Sequence, residues 1–203
     1  NSAHCCVCRG KEKQGKKPAK ITISYGSATP RQGTRMQVMG YYIHEDFGRL
    51  LNDIAILLLP VPVNVTQKSR PICLPESPSD VPGTRAIVTG WGTVKKDGKK
   101  HFELLSTSQV LWSTERCRVS FPSFDPQRQI CAKVANTGPC KGDSGGPLMI
   151  QNGVNFEVIG IVSHGSSCDT LARPEVYTKV WHFLPWIRKA LSADSTCKYK
   201  KPQ

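Results

Sequence analysis

The sequence predicts an all-β fold, either a sandwich or a pair of barrels. Glycine and proline number 17 and 15 in 203 residues and are spread along the chain, so they divide it into short segments. Most segments between them are rich in Val, Ile, Tyr and Thr and lack the period of an amphipathic helix. Many short strands, Gly/Pro-rich turns and one late helix are typical of sheets packed as a sandwich or barrel.

Several runs bounded by turn residues are predicted to be strands. They are Ile21 to Tyr25, Met36 to Ile43, Ile54 to Leu59, Arg85 to Gly90, Leu105 to Trp112 and Phe156 to Val162. Asn152-Gly153 lies between the β-like runs Pro147 to Gln151 and Val154 to Val162 and is the strongest hairpin signal in the chain. Asp97-Gly98, between pairs of lysines, predicts a second and more polar turn.

Two stretches are predicted to be helical. Ser113 to Cys117 begins with residues that favour a helix N-cap. Phe183 to Leu191 places apolar residues three and four positions apart, which is typical of a helix with one buried face. We expect this second helix to pack against the β-structure near the end of the chain.

The composition excludes several classes of protein. A hydrophobic content of 38% and a charged content of 21% indicate a globular chain rather than a disordered one. The longest apolar run, Ile54 to Leu59, has six residues. A membrane helix needs roughly 20, so we expect no membrane span. The net charge of +13 leaves nucleic acid, anionic polysaccharide, acidic lipid and acidic substrates open as partners.

The nine cysteines are scattered rather than grouped as paired C-x-x-C motifs. This pattern favours disulfides in an oxidising compartment over zinc, so we expect a secreted, extracellular protein. The cluster His4-Cys5-Cys6-x-Cys8 lacks the spacing of tetrahedral zinc ligands, and neither a metal nor a cofactor is expected. The odd number of cysteines indicates that at least one bonding partner lies outside the sequence.

The most informative stretch is Gly142-Asp143-Ser144-Gly145-Gly146-Pro147. A serine becomes a strong nucleophile only when a base takes its proton and backbone N–H groups stabilise the oxyanion. Ala3-His4-Cys5 offers a histidine as the base. Asp53 leads directly into an apolar strand, where a charge needs a partner, and it offers the carboxylate that orients the histidine. The candidate triad is therefore His4, Asp53 and Ser144, whereas the other histidines are expected to be structural or at the surface.

Six motifs that occur in order resemble the trypsin/chymotrypsin-like serine proteases. They are Ala3-His4-Cys5, Asp53 to Ile56, Gly90-Trp91-Gly92, residues 142 to 147, Ser163-His164-Gly165 and Pro174 to Tyr177. The resemblance covers essentially the whole chain. It implies a double six-stranded antiparallel β-barrel of chymotrypsin-like type with a C-terminal helix, and a serine-type endopeptidase activity.

The resemblance also implies a role for each site residue. His4 is the general base and acid, Asp53 orients it, and Ser144 is the nucleophile. The N–H groups of Gly142 and Ser144 form the oxyanion hole. Residues Ser163, His164 and Gly165 pair with the substrate backbone, and His164 stands where the family usually has tryptophan.

The specificity pocket differs from that of trypsin-like members. They carry aspartate six residues before the nucleophile, and this chain has Gly138 there. Glu175, which follows Pro174 where the family usually has glycine, is expected to project into the same pocket. We therefore expect cleavage after Lys or Arg, or a mixed preference that includes large apolar residues. The alternative is that Glu175 turns to solvent beside a chymotrypsin-like pocket.

The resemblance further implies how the cysteines pair. It pairs Cys140 with Cys168 beside the pocket, and Cys117 with Cys131 beside the short helix. Cys73 resembles the cysteine that tethers an upstream prodomain in many members. Cys5 has a family partner before the histidine that this sequence does not contain, and Cys6, Cys8 and Cys197 match no family partner.

Basic runs occur at Arg9 to Lys20, Lys95 to His101 and Lys198 to Lys201. One interpretation is a solvated surface, and the other is an exosite for a heparin-like polyanion or for acidic substrate segments. Nucleic acid is not expected, because no RNP-like aromatics or recognition helix accompany the lysines. The sequon at Asn64 is a candidate glycosylation site and agrees with secretion.

Family members are made as zymogens, and activation buries a new N-terminal amine against the aspartate before the nucleophile, here Asp143. The apolar start that supplies this amine would precede Asn1, so we expect an N-terminally incomplete chain with an incomplete first barrel and poor activity on its own. Residues 1–192 are assigned to the protease domain and residues 193–203 to a basic tail. Two alternatives are a catalytically silent homologue that binds anionic partners and an esterase of another fold. The esterase requires the order Ser, Asp, His, which is the reverse of the order here.

Overall fold

The computed structural model describes residues 1–6, 20–95, 98–165, 168 and 173–193, and most of the regular structure in these ranges is β-strand. The strands are β1 (Thr22–Tyr25), β2 (Thr34–Gln37), β3 (Gly40–Ile43), β4 (Ala55–Leu58), β5 (Arg85–Gly90), β6 (Leu105–Val110), β7 (Gln129–Ala132), β8 (Pro147–Asn152), β9 (Asn155–His164) and β10 (Glu175–Lys179). The helices are α1 (Thr114–Ser120) and α2 (Leu184–Ala193), with 3₁₀ turns at Ala3–Cys6 and Trp181–Phe183. The predictions of a mostly β chain and a C-terminal helix are confirmed.

One antiparallel sheet organises the larger part of the described chain. Its strand order is β6-β5-β8-β9-β10-β7. The amide of Lys133 donates to the carbonyl of Val110 at 3.0 Å, and the amide of Trp112 donates to the carbonyl of Cys131 at 3.0 Å. These bonds join the edge strands β6 and β7, so the sheet curls until its two edges meet. Its inner face holds a buried apolar core: Ala86, Val88, Leu111, Ile130, Ala132, Leu148, Ile159, Val162 and Tyr177.

The first four strands form two separate hairpin-like pairs, β1 with β2 and β3 with β4. The sequence predicted one strand from Met36 to Ile43, but the structure divides it. The amide of Val38 donates to the carbonyl of Ile21, whereas the amide of Met39 donates to the carbonyl of Leu58. The chain changes its hydrogen-bonding partner between these two residues, which is why one run of β-like residues becomes two strands.

The hairpin predicted at Asn152-Gly153 is present, one residue later along the chain. Asn152 pairs with Asn155, so Gly153 and Val154 form the two-residue loop between β8 and β9. Gly153 has φ of 59°, a conformation that glycine adopts at little cost and that tight hairpin turns require. The second predicted turn, at Asp97-Gly98, lies partly outside the described residues.

The two helices are close to their predicted positions. Ser113 caps α1 by accepting a hydrogen bond from the amide of Arg116, and the helix continues to Ser120. The C-terminal helix α2 packs beside a second apolar cluster that contains Ile54, Ile161, Val180, Phe183 and Leu184. Strands β7 and β10 were not predicted, because buried polar residues interrupt their apolar pattern.

Both predicted disulfides are present, Cys117–Cys131 and Cys140–Cys168. Among the described residues Cys5, Cys6 and Cys73 are free thiols. Cys8, Cys197 and the tail, together with nearly all of the basic run from Arg9, lie outside the described residues. In the part of the chain that the structure describes, no helix combines the length and the apolarity needed to cross a bilayer.

Candidate active site

Asp53 is the buried centre of the site. It lies two residues before β4, and no part of it is exposed to solvent. Its carboxylate accepts hydrogen bonds from His4 Nδ1 at 2.6 Å, from the His4 amide at 2.9 Å and from Ser163 Oγ at 2.5 Å. Its backbone carbonyl accepts a fourth bond, from Thr178 Oγ1 at 2.9 Å. The negative charge of Asp53, which precedes an apolar strand, is therefore stabilised by three hydrogen-bond donors.

The pKa values of both partners reflect this contact. Burial raises the pKa of Asp53, but the hydrogen bonds from His4 and Ser163 outweigh burial and bring the pKa below its ordinary value. Burial lowers the pKa of His4, yet the hydrogen bonds and charges of Asp53 and Cys5 together outweigh burial and raise the pKa to about 9. Because Nδ1 faces the carboxylate, the neutral ring carries its proton there and leaves Nε2 as the basic nitrogen.

A bulge in β9 aims Ser163 at Asp53. Val176 pairs with His164 and Tyr177 pairs with Val162, so Ser163 is an extra residue on this strand. A bulge of this kind re-aims a side chain and is common beside active sites. His164 packs edge-on against Phe121, with ring centroids 5.7 Å apart, and burial lowers its pKa. The predicted substrate-pairing segment thus ends β9 immediately beside the buried aspartate.

Ser144 is exposed on a tight turn between β7 and β8. Gly142 and Gly145, on either side of it, have φ of 106° and 82°, values that disfavour any other residue. The backbone carbonyl of Ser144 lies 3.6 Å from Cys5 Sγ, next along the chain from His4. Within the described ranges the Ser144 hydroxyl makes no hydrogen bond to the His4 ring. Such contacts are often loose before substrate binds.

The amides of Gly142 and Ser144 are available to a ligand, since neither donates to a backbone carbonyl in the described part of the chain. The side chain of Lys100 lies over this turn. A Cβ added to Gly142 would be 3.2 Å from Lys100 Cε and 3.6 Å from Nζ. Lys100 belongs to the basic run Lys95 to His101, and its contact with the turn that carries Ser144 was not predicted from the sequence.

The carboxylate of Asp143 is held by two backbone amides. It accepts hydrogen bonds from the amide of Gly92 at 2.7 Å and from the amide of Cys140 at 2.9 Å. It also borders a cavity of about 220 Å³ that Val88, Thr107 and Gly138 line from other sides.

Glu175 is turned inward at the start of β10, with 5% of its surface exposed. A Cβ on Gly138 would lie 3.6 Å from Glu175 Cγ, and a Cβ on Gly165 would collide with the Glu175 carboxylate. The side chain therefore occupies the space between Gly138, which the sequence assigned to the floor of the specificity pocket, and Gly165, which it assigned to the substrate-pairing segment. Cys168 is the only member of the segment 166–172 that the structure describes.

Three residues near the site were not predicted from sequence. Thr178 supports Asp53 from β10, Gln109 lies beside Gly138, and Tyr177 is fully buried on β10. The strands that carry Thr178 and Gln109 mix polar and apolar residues, so their sequence did not mark these two side chains as part of the site. In the described residues no group of three or more His, Cys, Asp or Glu side chains is arranged to hold a metal ion.

A histidine bonded to a buried aspartate and a serine exposed on a glycine turn are features typical of serine proteases. A family model described as Trypsin matches residues 2–187, and the chain belongs to this family. The proclotting enzyme of Tachypleus tridentatus is 40% identical over 155 residues, which cover 71% of this chain and 41% of that protein. Serine protease 56 of Homo sapiens is 34% identical over 152 residues, which cover 71% of this chain and 25% of that protein. The chain therefore spans less than half the length of either relative.

Proposed function

We propose that the protein is a serine endopeptidase in which His4, Asp53 and Ser144 act together. The observation that carries the proposal is the fully buried Asp53 carboxylate, which bonds both the ring and the amide of His4. This arrangement orients the imidazole and stabilises its protonated form, and a buried ion pair is otherwise difficult to explain. Membership of the trypsin family supports the same activity.

The reaction follows from this geometry. His4 Nε2 removes the Ser144 proton as the hydroxyl oxygen attacks the scissile carbonyl. The resulting oxyanion accepts hydrogen bonds from the backbone N–H groups of Gly142 and Ser144. The imidazolium, stabilised by Asp53, then gives its proton to the leaving amine. Water repeats the sequence on the acyl-enzyme and releases the second product.

We further propose that the complete fold has two six-stranded barrels. The curled sheet of β5 to β10 is one barrel, and β1 to β4 belong to the other. Under this proposal His4 and Asp53 come from the first barrel and Ser144 from the second, so catalysis takes place at their junction. The protease domain occupies residues 1–192, and residues 193–203 form a basic tail.

The turn at Asp143 is the proposed activation switch. A new N-terminal amine, produced by cleavage of a zymogen, would enter the cavity beside Asp143 and form an ion pair with its carboxylate. Two backbone amides hold that carboxylate, one of them from Cys140 in the same loop as Gly142. An amine bound there would therefore act on the loop that forms the oxyanion hole.

The proposed cleavage preference is for Lys or Arg, with a mixed preference for large apolar residues as the alternative. The inward position of Glu175 against Gly138 and Gly165 supports a negatively charged pocket.

The proposed partners of the protease follow from its surface. Cys73 is exposed, while its backbone is bonded to β9 through the Phe156 carbonyl and the Val158 amide, which suits a disulfide to an upstream prodomain. Lys99 and Lys100 are exposed beside the cleft, which supports a site for a heparin-like polyanion. Asn64 is exposed, as a glycosylation site of a secreted protein must be.

The test compares the full-length protein with its Ser144→Ala variant. We expect the protein to cleave a Lys or Arg peptide and to react with a fluorophosphonate probe, and we expect the variant to do neither. A matched Ser192→Ala variant, which changes an exposed serine on α2, should react like the wild type. Equal reaction of all three proteins would contradict the triad. A folded protein that does not react but binds heparin would instead be a catalytically silent homologue.

A further inference from the structure

Gln109 carries a buried amide oxygen that has no hydrogen-bond partner in the part of the chain that the structure describes. The residue lies near the end of β6 and is fully buried. Its Nε2 donates to the Ser108 carbonyl at 2.8 Å and to Thr137 Oγ1 at 3.1 Å. A carbonyl can only accept, so this contact identifies the nitrogen, and the other side-chain atom must be Oε1. That oxygen is unpaired among the described residues.

The unpaired oxygen lies behind the floor of the proposed specificity pocket. A Cβ on Gly138 would be 3.9 Å from Gln109 Oε1 and 3.9 Å from Nε2. The same Cβ would be 3.6 Å from Glu175 Cγ. Because Gly138 has no side chain, only its backbone lies next to the fully buried amide. Gln109 and Glu175 therefore border the space that a side chain at position 138 would fill.

A second buried polar atom without a hydrogen-bond partner, among the described residues, is the Tyr177 hydroxyl. Tyr177 is fully buried two residues after Glu175, so both side chains leave β10 on the same face. Its hydroxyl is also unpaired within the described part of the chain. Burial raises the pKa of Tyr177, and the charges of Glu175 and Asp143 raise it further, so the hydroxyl keeps its proton. Buried polar atoms without partners are rare in folded proteins, so the unpaired Gln109 oxygen beside Gly138 points to a polar ligand group there.

We propose that Gln109 is a specificity-determining residue whose Oε1 accepts a hydrogen bond from a lysine side chain at the cleaved position of the substrate. This inference rests on the proposed endopeptidase function and narrows its preference to lysine over arginine. It assigns a neutral amide oxygen to the floor of the pocket, whereas the Glu175 carboxylate lies against Gly165.

The preference follows from the shapes of the two cations. A lysine ammonium is a compact group with three donors that can point at separate acceptors. Arginine has a planar fork that binds best to two oxygens of one carboxylate in its plane. The Glu175 carboxylate packs against Gly165, away from the floor at Gly138, and Gln109 offers one oxygen there. A phenylalanine side chain would leave that oxygen buried and unpaired, so an aromatic residue is also disfavoured.

The experiment uses peptides that differ only at the cleaved residue, Lys, Arg or Phe, and measures kcat/KM for the full-length protein. The test variant is Gln109→Met, which keeps the length of the side chain and removes the amide. The matched control is Gln129→Met, because Gln129 is also a buried glutamine but bonds the amide of Asp125 away from the pocket. Thermal unfolding of each variant shows whether it is folded.

We expect the wild type to prefer Lys to Arg, and Gln109→Met to reduce the Lys/Arg ratio of kcat/KM by about tenfold, the order expected for one hydrogen bond to a charged group. Gln129→Met should leave the ratio unchanged. An unchanged ratio in folded Gln109→Met would overturn the inference, and so would a wild type that prefers Arg.

A binding measurement separates this inference from the proposed function. The Ser144→Ala variant is titrated with n-butylammonium and n-butylguanidinium, which mimic the two side chains and need no catalysis. We expect tighter binding of n-butylammonium, and about tenfold weaker binding when Gln109→Met is added. If no peptide is cleaved but this pattern holds, the activity proposal fails and the pocket assignment stands. Equal binding of both cations overturns the assignment.

Discussion

Ser163→Ala is the sharpest test of how the site is held together. The substitution removes one donor from the fully buried Asp53 carboxylate, at a hydrogen bond of 2.5 Å. Hydrogen bonds to charged groups contribute about 1.5–3 kcal/mol, so we expect the free energy of unfolding to fall by that amount. The two bonds from His4 remain, so we expect kcat/KM to fall by less than about tenfold, since the imidazole keeps its tautomer.

A matched control separates the charged acceptor from ordinary burial. Ser2 is also fully buried, but its hydroxyl donates to the neutral carbonyl of Val162 at 2.6 Å. Ser2→Ala should therefore cost about 0.5–1.5 kcal/mol, the usual contribution of a neutral hydrogen bond. Urea unfolding at pH 7, analysed by linear extrapolation, measures both variants. If Ser163→Ala loses no more stability than Ser2→Ala, the Asp53 carboxylate does not depend on this bond.

The difference between the two variants should also depend on pH. The pKa of Asp53 lies below its ordinary value in the folded protein, so its contribution to stability is present above the unfolded pKa of about 3.9. That contribution is lost as the pH falls through the folded pKa. The excess destabilisation of Ser163→Ala should therefore shrink toward pH 3. A constant difference from pH 7 to pH 3 would show that the bond does not involve the charged carboxylate.

The remaining predictions concern catalysis, pH, specificity and a disulfide. Asp53→Asn should lower kcat by roughly 10³–10⁴-fold with little change in KM, because the amide no longer selects the reactive tautomer of His4; a loss below about tenfold would contradict its orienting role. The pKa of His4 is raised above 6.5, and half of the His4 side chains are in the base form when the pH equals that pKa, so kcat/KM should reach half its maximum above pH 6.5. A midpoint at or below pH 6.5 would contradict the ion pair. Glu175→Gln should reduce kcat/KM for Lys and Arg peptides by about tenfold or more and leave Phe peptides unaffected, and equal effects on all peptides would remove Glu175 from the pocket. Replacing Cys117 and Cys131 by serine should lower the free energy of unfolding by about 3 kcal/mol because their disulfide spans only 14 residues; calorimetry showing no change would contradict it.

Much of the fold could be predicted because its signals are local. Turn residues and β-branched runs are visible in any short window of sequence, and β5 begins and ends at the predicted residues. The division between β2 and β3 could not be predicted, because it depends on Ile21 and Leu58, which are distant in the chain and supply different hydrogen-bond acceptors. Strand β10 was missed for a similar reason. It begins with the charged residue Glu175, and the space that buries this side chain is left by Gly138 and Gly165, which lie elsewhere in the chain.

In the candidate site, too, local motifs could be predicted from the sequence, whereas contacts between distant segments could not. His4, Asp53 and Ser144 were identified from sequence because each lies in a short motif whose chemistry is specific. The bonds of Ser163 and Thr178 to Asp53 required the structure, because both depend on the bulge and pairing of β9 and β10. The position of Lys100 over Gly142 and that of Gln109 behind Gly138 also join segments far apart in the chain.

The sequence by itself determined the family, the residue types of the candidate triad and the mostly β architecture with its C-terminal helix. These depend on local patterns of turns, alternation and motif, which survive without knowledge of long-range contacts. Only the tertiary structure decided how the Asp53 charge is compensated, that Glu175 turns inward, and which buried polar atoms stand behind the pocket. Those outcomes depend on burial and hydrogen-bond geometry, which exist only when strands distant in sequence pack together.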